Sequence, residues 1–168
     1  MASWGKKSSA LLLVVAACGS ASNGAPPGVS IENGSGTPGF RFDSLDAREV
    51  SSDSLRGKPA VLAFVTTYDP ISQMQVNYLV PLAASLPGVN FALVMLQDGA
   101  QRELVEIYRD TLRVKFPVAI GDTATIAGDG ALGDVHVVPT VVVLGADGKI
   151  LWRKAGGATA SEIRAHLP

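Results

Sequence analysis

Three long apolar runs dominate the pattern of hydrophobic and polar positions and predict the central strands of a sheet. They span residues 60–65, 89–96 and 140–144, and almost every position in them is apolar. Runs of this kind are typical of strands that are covered on both faces. Shorter patterns predict the other strands: a hairpin over residues 40–45 and 49–51, a strand over 116–120, and a strand over 150–152 after a tight turn at Asp147-Gly148.

Helical spacing is found between the strands. In residues 71–86 the apolar side chains recur at spacings of four, at Met74, Tyr78, Leu82 and Leu86. Pro81 falls inside this pattern and predicts a kink or a division into two helices. Residues 100–114 predict a second, amphipathic helix, whose apolar side chains are Leu104, Ile107, Tyr108 and Leu112.

Shorter helical segments complete the predicted fold. We expect one capped helical turn over residues 52–57, a short helix over 123–132 and a last helix over 161–167. Strands that alternate with helices in this order predict a mixed central sheet with helices on both faces. With 168 residues, 47% of them hydrophobic, the chain has the material for one domain with a proper core. The sequence therefore predicts a single α/β domain.

The first 17 residues have the pattern of a secretory signal peptide. Lys6 and Lys7 give a positive start, residues 10–17 are an apolar run, and small residues precede Cys18. The run is too short to span a bilayer as a mature helix. The sequence V-V-A-A-C-G resembles the lipobox of bacterial lipoproteins, which implies cleavage before Cys18 and acylation of its sulfur. The alternatives are an ordinary signal peptide with a chance cysteine and an uncleaved anchor helix.

These features predict three regions. Residues 1–17 are the lipoprotein signal peptide, residues 18–38 hold the lipidated Cys18 and a linker rich in Gly, Ser and Pro, and residues 39–168 form the domain. The linker composition buries too little apolar surface to order itself. The implied location is the bacterial cell envelope, with the domain outside the cytoplasm and the lipid bilayer as a partner through acylated Cys18.

Charge and cysteine content narrow the function classes. The formal charge is −1 and the basic side chains are not clustered in one segment, which argues against a nucleic-acid partner. Loss of Lys6 and Lys7 takes two of the 14 basic side chains, against 15 acidic ones, and leaves a mature charge near −3. Such a chain has little reason to adsorb to anionic lipid without its anchor. Because Cys18 is the only cysteine, an internal disulfide is excluded.

Three motifs carry a resemblance to a known family. They are F-R-F-D-S-L-D from residue 40, G-K-P-A-V-L-A-F from residue 57, and V-P-T-V-V-V-L-G-A-D-G-K-I from residue 138. In this order and spacing they resemble the membrane-tethered TlpA/ResA branch of the thioredoxin-fold proteins, which is related to the AhpC/TSA peroxiredoxins. The resemblance covers residues 39–168 and implies a thioredoxin-like fold. It also implies a cis peptide bond between Val138 and Pro139 that faces the active site.

The sequence departs from this family at the residues that perform its chemistry. Active members carry W-C-x-x-C where this chain reads Tyr68-Asp69-Pro70-Ile71-Ser72, so Asp69 and Ser72 stand at the two cysteine positions. Thiol exchange requires a thiolate at a helix N-terminus and a second thiol one turn along. Neither a carboxylate nor a serine hydroxyl forms a disulfide. The pattern favours Asp69 as the N-cap of the following helix, with Pro70 in its first turn.

Two function classes follow for this degenerate site, which we expect to hold no cofactor and no metal. The first is a redox-inactive binding or scaffold module, in which Tyr68, Asp69, Val138 and Pro139 hold an envelope protein or peptide at the cis-proline face. The second is an oxidoreductase or peroxiredoxin-type activity that depends on a partner thiol or a cofactor. His136 has no companion ligands in sequence, and Ser72 has no nearby histidine that would activate it. We therefore favour the binding module over an enzyme.

Overall fold

The computed structural model describes Met1 and residues 37–168, so Cys18 and most of the predicted signal peptide and linker lie outside the described residues. The strands are β1 (Arg41–Ser44), β2 (Val50–Ser51), β3 (Ala60–Val65), β4 (Asn90–Met95), β5 (Val118–Ile120), β6 (Thr140–Leu144) and β7 (Ile150–Ala155). The helices are α1 (Pro70–Ser85), α2 (Arg102–Thr111), α3 (Thr123–Ala127) and α4 (Ala160–Ala165), with a 3₁₀ turn at Gly99–Gln101 before α2.

The seven strands form one mixed sheet in the order β2-β1-β5-β4-β3-β6-β7. Strand β3 lies at the centre of the domain, parallel to β4 on one side and antiparallel to β6 on the other. Strands β4 and β5 are also parallel, whereas the pairs at both edges are antiparallel. The predicted α/β fold with a mixed central sheet is confirmed, including the hairpin that precedes β3.

Strand β3 supplies both hydrophobic cores because successive side chains of a strand point to opposite faces. Val61, Ala63 and Val65 pack in the core beneath α1, α2 and α4. The alternate side chains, from Ala60 to Phe64, pack in a second core, which the β1–β2 hairpin and the chain after α3 cover. All six residues of β3 are buried, as its continuous apolar pattern predicts.

Helix α1 buries a different face from the one that its apolar spacing predicts. Its buried side chains are Ser72, Gln75, Val76, Leu79 and Leu82, while Met74 and Tyr78 are exposed. The physical reason is that positions four apart advance by about 40° beyond a full turn, so a line of four such positions winds around the helix. The helix also runs through Pro81 without division, since Pro70–Ser85 is one element.

The prediction for α2 is wrong at two of its four apolar positions. The helix is shorter than expected and begins after the 3₁₀ turn, and its buried side chains are Val105 and Tyr108. Leu104 and Ile107 face solvent instead. The expected helical turn over residues 52–57 is also absent from the described fold, which has hydrogen-bonded turns there that end at Gly57 with φ of 87°.

The C-terminal elements follow their local sequence signals. Helix α3 ends at Gly128, whose φ of 96° lies in the left-handed region that favours glycine. Helix α4 begins with a capping box, in which Thr159 and Glu162 each satisfy a backbone N–H of the other. Trp152 of β7 packs beside α4, with its ring stacked on His166 at 4.5 Å between centroids. These contacts hold the last helix against the sheet.

Candidate functional site

Residues 66–72 connect the buried end of β3 to the start of α1, and we call this segment the corner. The corner lies at the carboxyl ends of the parallel strands β3 and β4, which is where open α/β sheets bind their ligands. The Thr67 N–H donates to Oε1 of the buried Gln97 at 3.0 Å. This bond ties the corner to the segment after β4.

Asp69 is the N-cap of α1, as the sequence predicts. Its backbone is extended, and its Oδ2 accepts a hydrogen bond from the Ser72 N–H at 2.6 Å. Hydrogen bonding from the Ser72 side chain, with further backbone bonds from Ser72 and Ile71, holds the pKa of the Asp69 carboxyl below its usual range. An ionised carboxylate is acceptor-only and also interacts favourably with the positive end of the helix. Asp69 therefore stabilises the helix start.

Ser72, which the family resemblance places at the second cysteine position, is fully buried. The Thr66 N–H donates to its Oγ over 3.4 Å, a long hydrogen bond. Within the described residues, the hydrogen bonds of Ser72 include none to a histidine. A serine hydroxyl without an adjacent general base is a weak nucleophile. The Asp69–Ser72 part of the corner is thus closed, because these two residues bond to each other and to the backbone, whereas the buried Oγ1 atoms of Thr66 and Thr67 have no partner among residues 37–168.

The cis-proline segment lies beside the corner. The Val138–Pro139 peptide bond is cis, which confirms the expectation from the family resemblance. Thr140 begins β6 and pairs with Phe64 near the end of β3, so Pro139 reaches the same end of the sheet as Thr66. Pro139 is buried, and its carbonyl accepts from the Gly156 N–H at 2.8 Å, whereas Val138 is half-buried. Val138 is therefore more accessible than Pro139 on this side of the corner.

Gln75 is part of this region, although the sequence analysis did not single it out. Its side chain is buried, and its Oε1 accepts from the Ala158 N–H at 2.6 Å, which links α1 to the loop before α4. Its Nε2 is buried without a hydrogen-bond partner among residues 37–168. The signal that reveals this residue is its spacing of three from Ser72 on the inner face of α1.

Exposed apolar side chains surround the corner. Tyr68 is 75% exposed, and Ile71 and Met74 of α1 project into solvent nearby in sequence. On the α2 side, Leu104 and Ile107 are exposed as well. Isolated exposed apolar residues are ordinary, but several around one corner mark a surface suited to a partner.

A groove lies between the corner and α2, and we call it the α1–α2 groove. Its lining comes from Thr67, Tyr68 and Gln73 on one side and from Leu104, Ile107 and Tyr108 on the other. The groove has a volume of about 400 Å³, and none of the residues that line it is charged. Tyr108 is 9% exposed, and its Oη is buried with no hydrogen-bond partner in the described chain.

The histidines do not form a metal site. His136 is exposed and packs its ring over Gly128, while Nδ1 of His166 lies 2.9 Å from the Glu162 carbonyl oxygen at the end of α4. Across residues 37–168 no three His, Cys, Asp or Glu side chains come close enough to hold a metal ion. The described helices also include none with the length and apolarity required to cross a membrane.

The solved structures with the same fold include thiol–disulfide proteins. MTB dsbF, in its mixed oxidised and reduced forms, is 24% identical with a TM-score of 0.66, and the match covers 77% of this chain and 93% of that one. A secreted Mycobacterium tuberculosis disulfide oxidoreductase homologous to E. coli DsbE is 22% identical with a TM-score of 0.63, covering 76% and 92%.

A third structure, a thiol:disulfide interchange protein of the thioredoxin family from Chlorobium tepidum TLS, is 22% identical with a TM-score of 0.67 and coverage of 79% and 95%. The sequence matches no protein-family model and no curated protein. The likeness is therefore one of fold, and it confirms the resemblance inferred from the sequence at that level. The chain has the thioredoxin fold of these DsbE- and DsbF-like proteins.

Proposed function

We propose that this protein is a lipid-anchored, extracytoplasmic binding protein of the bacterial envelope that has a thioredoxin fold and no thiol–disulfide chemistry of its own. In this proposal an extended segment of an envelope protein binds at Tyr68, Asp69, Val138 and Pro139. The observation that carries the proposal is the closed corner, where Asp69 caps α1 and Ser72 is buried in place of a thiol pair.

The corner has the frame for thiol activation but not the reacting atoms. A helix N-terminus lowers the pKa of a cysteine placed there, and a second thiol one turn along resolves the mixed disulfide. Here both positions carry oxygen side chains, and Cys18 is the sole cysteine of the sequence. A thiol from a partner would be needed for any disulfide exchange at this corner, and that is the alternative function.

Support for the location comes from two sources. The N-terminal pattern with Lys6, Lys7 and Cys18 matches an exported lipoprotein. Among proteins of the same fold, one is a secreted disulfide oxidoreductase. Both are consistent with a domain that works outside the cytoplasm.

Support for peptide binding comes from the surface around the corner. Tyr68 and Val137 are exposed apolar side chains on either side of the two segments that meet at this end of the sheet. An extended peptide is recognised by backbone hydrogen bonds together with pockets for alternate side chains. In the proposal, Tyr68 and Val138 provide the apolar contacts for such a peptide.

The test of redox inactivity is an insulin-reduction assay on the full-length chain with dithiothreitol as the electron source and no added metal. We expect no turnover above the uncatalysed rate from the wild type, and measurable turnover from the Asp69→Cys/Ser72→Cys double variant, because the helix start then carries a thiol pair. Turnover by the wild type would overturn the proposal. Turnover that requires added glutathione would instead support the partner-thiol alternative.

The test of partner binding is site-specific photocrosslinking in cells. The full-length chain carries p-benzoylphenylalanine in place of Tyr68, or in place of Leu151 as an exposed control on β7. We expect a discrete adduct with an envelope protein from position 68 and none from position 151. Equal crosslinking from both positions would contradict a binding site at the corner.

The test of the anchor is incorporation of radiolabelled palmitate. We expect the wild type to be labelled and the Cys18→Ser variant to be unlabelled and released from the membrane fraction. Unchanged labelling of the variant would refute acylation at Cys18.

A further inference from the structure

Buried hydroxyl groups beneath the α1–α2 groove lack hydrogen-bond partners. Tyr108 Oη and Thr67 Oγ1 are both buried, and neither has a partner among residues 37–168. Leaving a buried polar group unpaired is unfavourable, so such groups require an explanation. Both residues line the same groove, which distinguishes them from unpaired groups scattered through a core. An occupant of the groove that offers a hydrogen-bond acceptor would satisfy Tyr108.

The protonation state of Tyr108 determines which kind of group can form a hydrogen bond with its hydroxyl. Burial, and to a smaller degree the nearby Asp69 carboxylate, raise the pKa of Tyr108 to about 12. The hydroxyl is therefore protonated at neutral pH and acts as a donor. A peptide carbonyl oxygen is an acceptor of the right type.

Charge restricts the occupant further. The groove is lined by uncharged residues, and the Asp69 carboxylate is close enough to act on Tyr108. An anionic group in the groove would be repelled by Asp69 and would lose its hydration without a cation to replace it. Leu104 and Ile107 line the groove while 47% and 56% exposed, so an apolar side chain placed there would cover surface that water now contacts.

We propose that the α1–α2 groove receives an uncharged apolar side chain of the partner segment, with the carbonyl beside that side chain accepting a hydrogen bond from Tyr108 Oη. The inference rests on the proposed function, because it names the side chain that the partner presents. Tyr68 belongs to the proposed peptide site and also lines the groove, so a segment that contacts Tyr68 lies next to the groove. The Tyr68 side chain is 75% exposed, so its rotation would sacrifice little packing.

The experiment uses matched capped amino acids as probes and reads amide chemical shifts of the ¹⁵N-labelled full-length chain in nanodiscs of zwitterionic lipid. N-acetyl-leucine amide is the neutral apolar probe. N-acetyl-leucine has the same side chain with a carboxylate, and N-acetyl-asparagine amide has a polar side chain of similar shape. We expect saturable shifts at Thr67, Leu104 and Tyr108 with the first probe, and at least tenfold weaker binding of the other two.

Two pairs of variants locate the binding site. Tyr108→Phe should lower the affinity for the neutral probe by roughly 2- to 10-fold, which is the range for loss of one hydrogen bond. Tyr78→Phe, on the exposed face of α1, should leave the affinity unchanged. Ile107→Asp should abolish binding, whereas Ile126→Asp on α3 should leave it unchanged, since Ile126 is also exposed but outside the groove. Preserved dispersion of the amide spectrum shows that each variant is folded.

Three results would overturn the inference: equal binding of the amide and the carboxylate, shifts confined to Val138 and its neighbours, or unaltered affinity in Tyr108→Phe. These results are separable from those on the proposed function. A partner adduct from position 68 without probe binding in the groove removes only this inference. Probe binding in the groove without a crosslinked adduct from position 68 contradicts the proposed function, but it still shows that the groove binds an apolar side chain.

Discussion

The corner and the α1–α2 groove meet at Thr67 and Tyr68, and their polar groups differ in hydrogen bonding. In the corner, Asp69 and Ser72 bond to each other and to the backbone, although the buried Thr66 Oγ1 has no partner among residues 37–168. In the groove, two buried hydroxyls are unpaired within residues 37–168, and the apolar side chains beside them face solvent. The difference shows that Asp69 and Ser72 are used in the local structure, whereas the groove hydroxyls have hydrogen-bonding capacity that the described residues leave unused.

The largest expected effect on stability comes from helix α1, which contributes residues to both the corner and the groove. Helix α1 provides Ser72 to the corner and Gln73 to the groove, and Leu79 is one of the side chains that hold this helix on the sheet. Leu79→Ala should lower the free energy of unfolding by about 2–5 kcal/mol, because it leaves a cavity in the core. Urea denaturation followed by circular dichroism measures this change.

The neighbouring position gives the control for that variant. Tyr78 is next in sequence but exposed, so Tyr78→Ala should stay within about 0.5 kcal/mol of the wild type. Equal losses from the two variants would show that the inner face of α1 is assigned incorrectly.

Removal of the cap tests whether the corner is structural. Asp69→Ala should lower the free energy of unfolding by about 1 kcal/mol, in the range 0.5–2, because the Ser72 N–H loses its acceptor. Asp69→Asn retains a capping oxygen and should lose much less. Chemical denaturation of the three proteins at pH 7 measures the order, and an Asn variant as unstable as the Ala variant would argue against capping as the role of Asp69.

Acid should reduce the extra stability that the Asp69 carboxylate gives to the N-cap of α1 compared with the amide of the Asp69→Asn variant. The folded-state pKa of Asp69 is lowered, so its ionised form adds stability above the unfolded pKa of about 3.9. That contribution is lost as the pH falls through the folded value. The stability difference between wild type and Asp69→Asn should therefore narrow on titration from pH 6 to pH 2, and a difference that widens in acid would contradict the sign.

The smallest loss of stability should come from a change at Tyr108, on the floor of the groove. Tyr108→Phe removes a hydroxyl that has no partner in the described residues, so no hydrogen bond is lost and a buried polar atom disappears. The free energy of unfolding of the unliganded chain should therefore not fall, and it should rise to the extent that the unpaired hydroxyl destabilises the folded state. Thermal unfolding measures this, and a loss above about 1 kcal/mol would show that the hydroxyl is already bonded in the free protein.

The sequence was informative where the determinants are local. The continuous apolar run of β3 predicted a strand covered on both faces, and the Asp69-Pro70 pair predicted the start of α1. The family resemblance supplied what local signals lacked, namely the cis bond before Pro139. The degenerate cysteine positions also followed from that resemblance.

Long-range packing explains what the sequence did not reveal. The burial of Gln75 depends on the Ala158 N–H, which lies 83 positions away along the chain. Likewise, Leu104 and Ile107 have the spacing of a buried face, but the sheet contacts Val105 and Tyr108 instead. Which side of a helix meets the core is set by where the helix docks, and apolar spacing alone leaves several choices. The groove could not be predicted for this reason.

The position of Thr37 determines how the domain can be presented. Its Oγ1 donates to the Asp147 carbonyl in the turn between β6 and β7, and that turn lies at the end of the sheet where β3 begins. The corner lies where β3 ends, about 20 Å away for a strand of six residues. A lipid, an affinity tag or a sensor chip attached upstream of Thr37 therefore connects to the domain at the end of the sheet opposite the corner. Attachment there leaves the end that carries Tyr68 accessible.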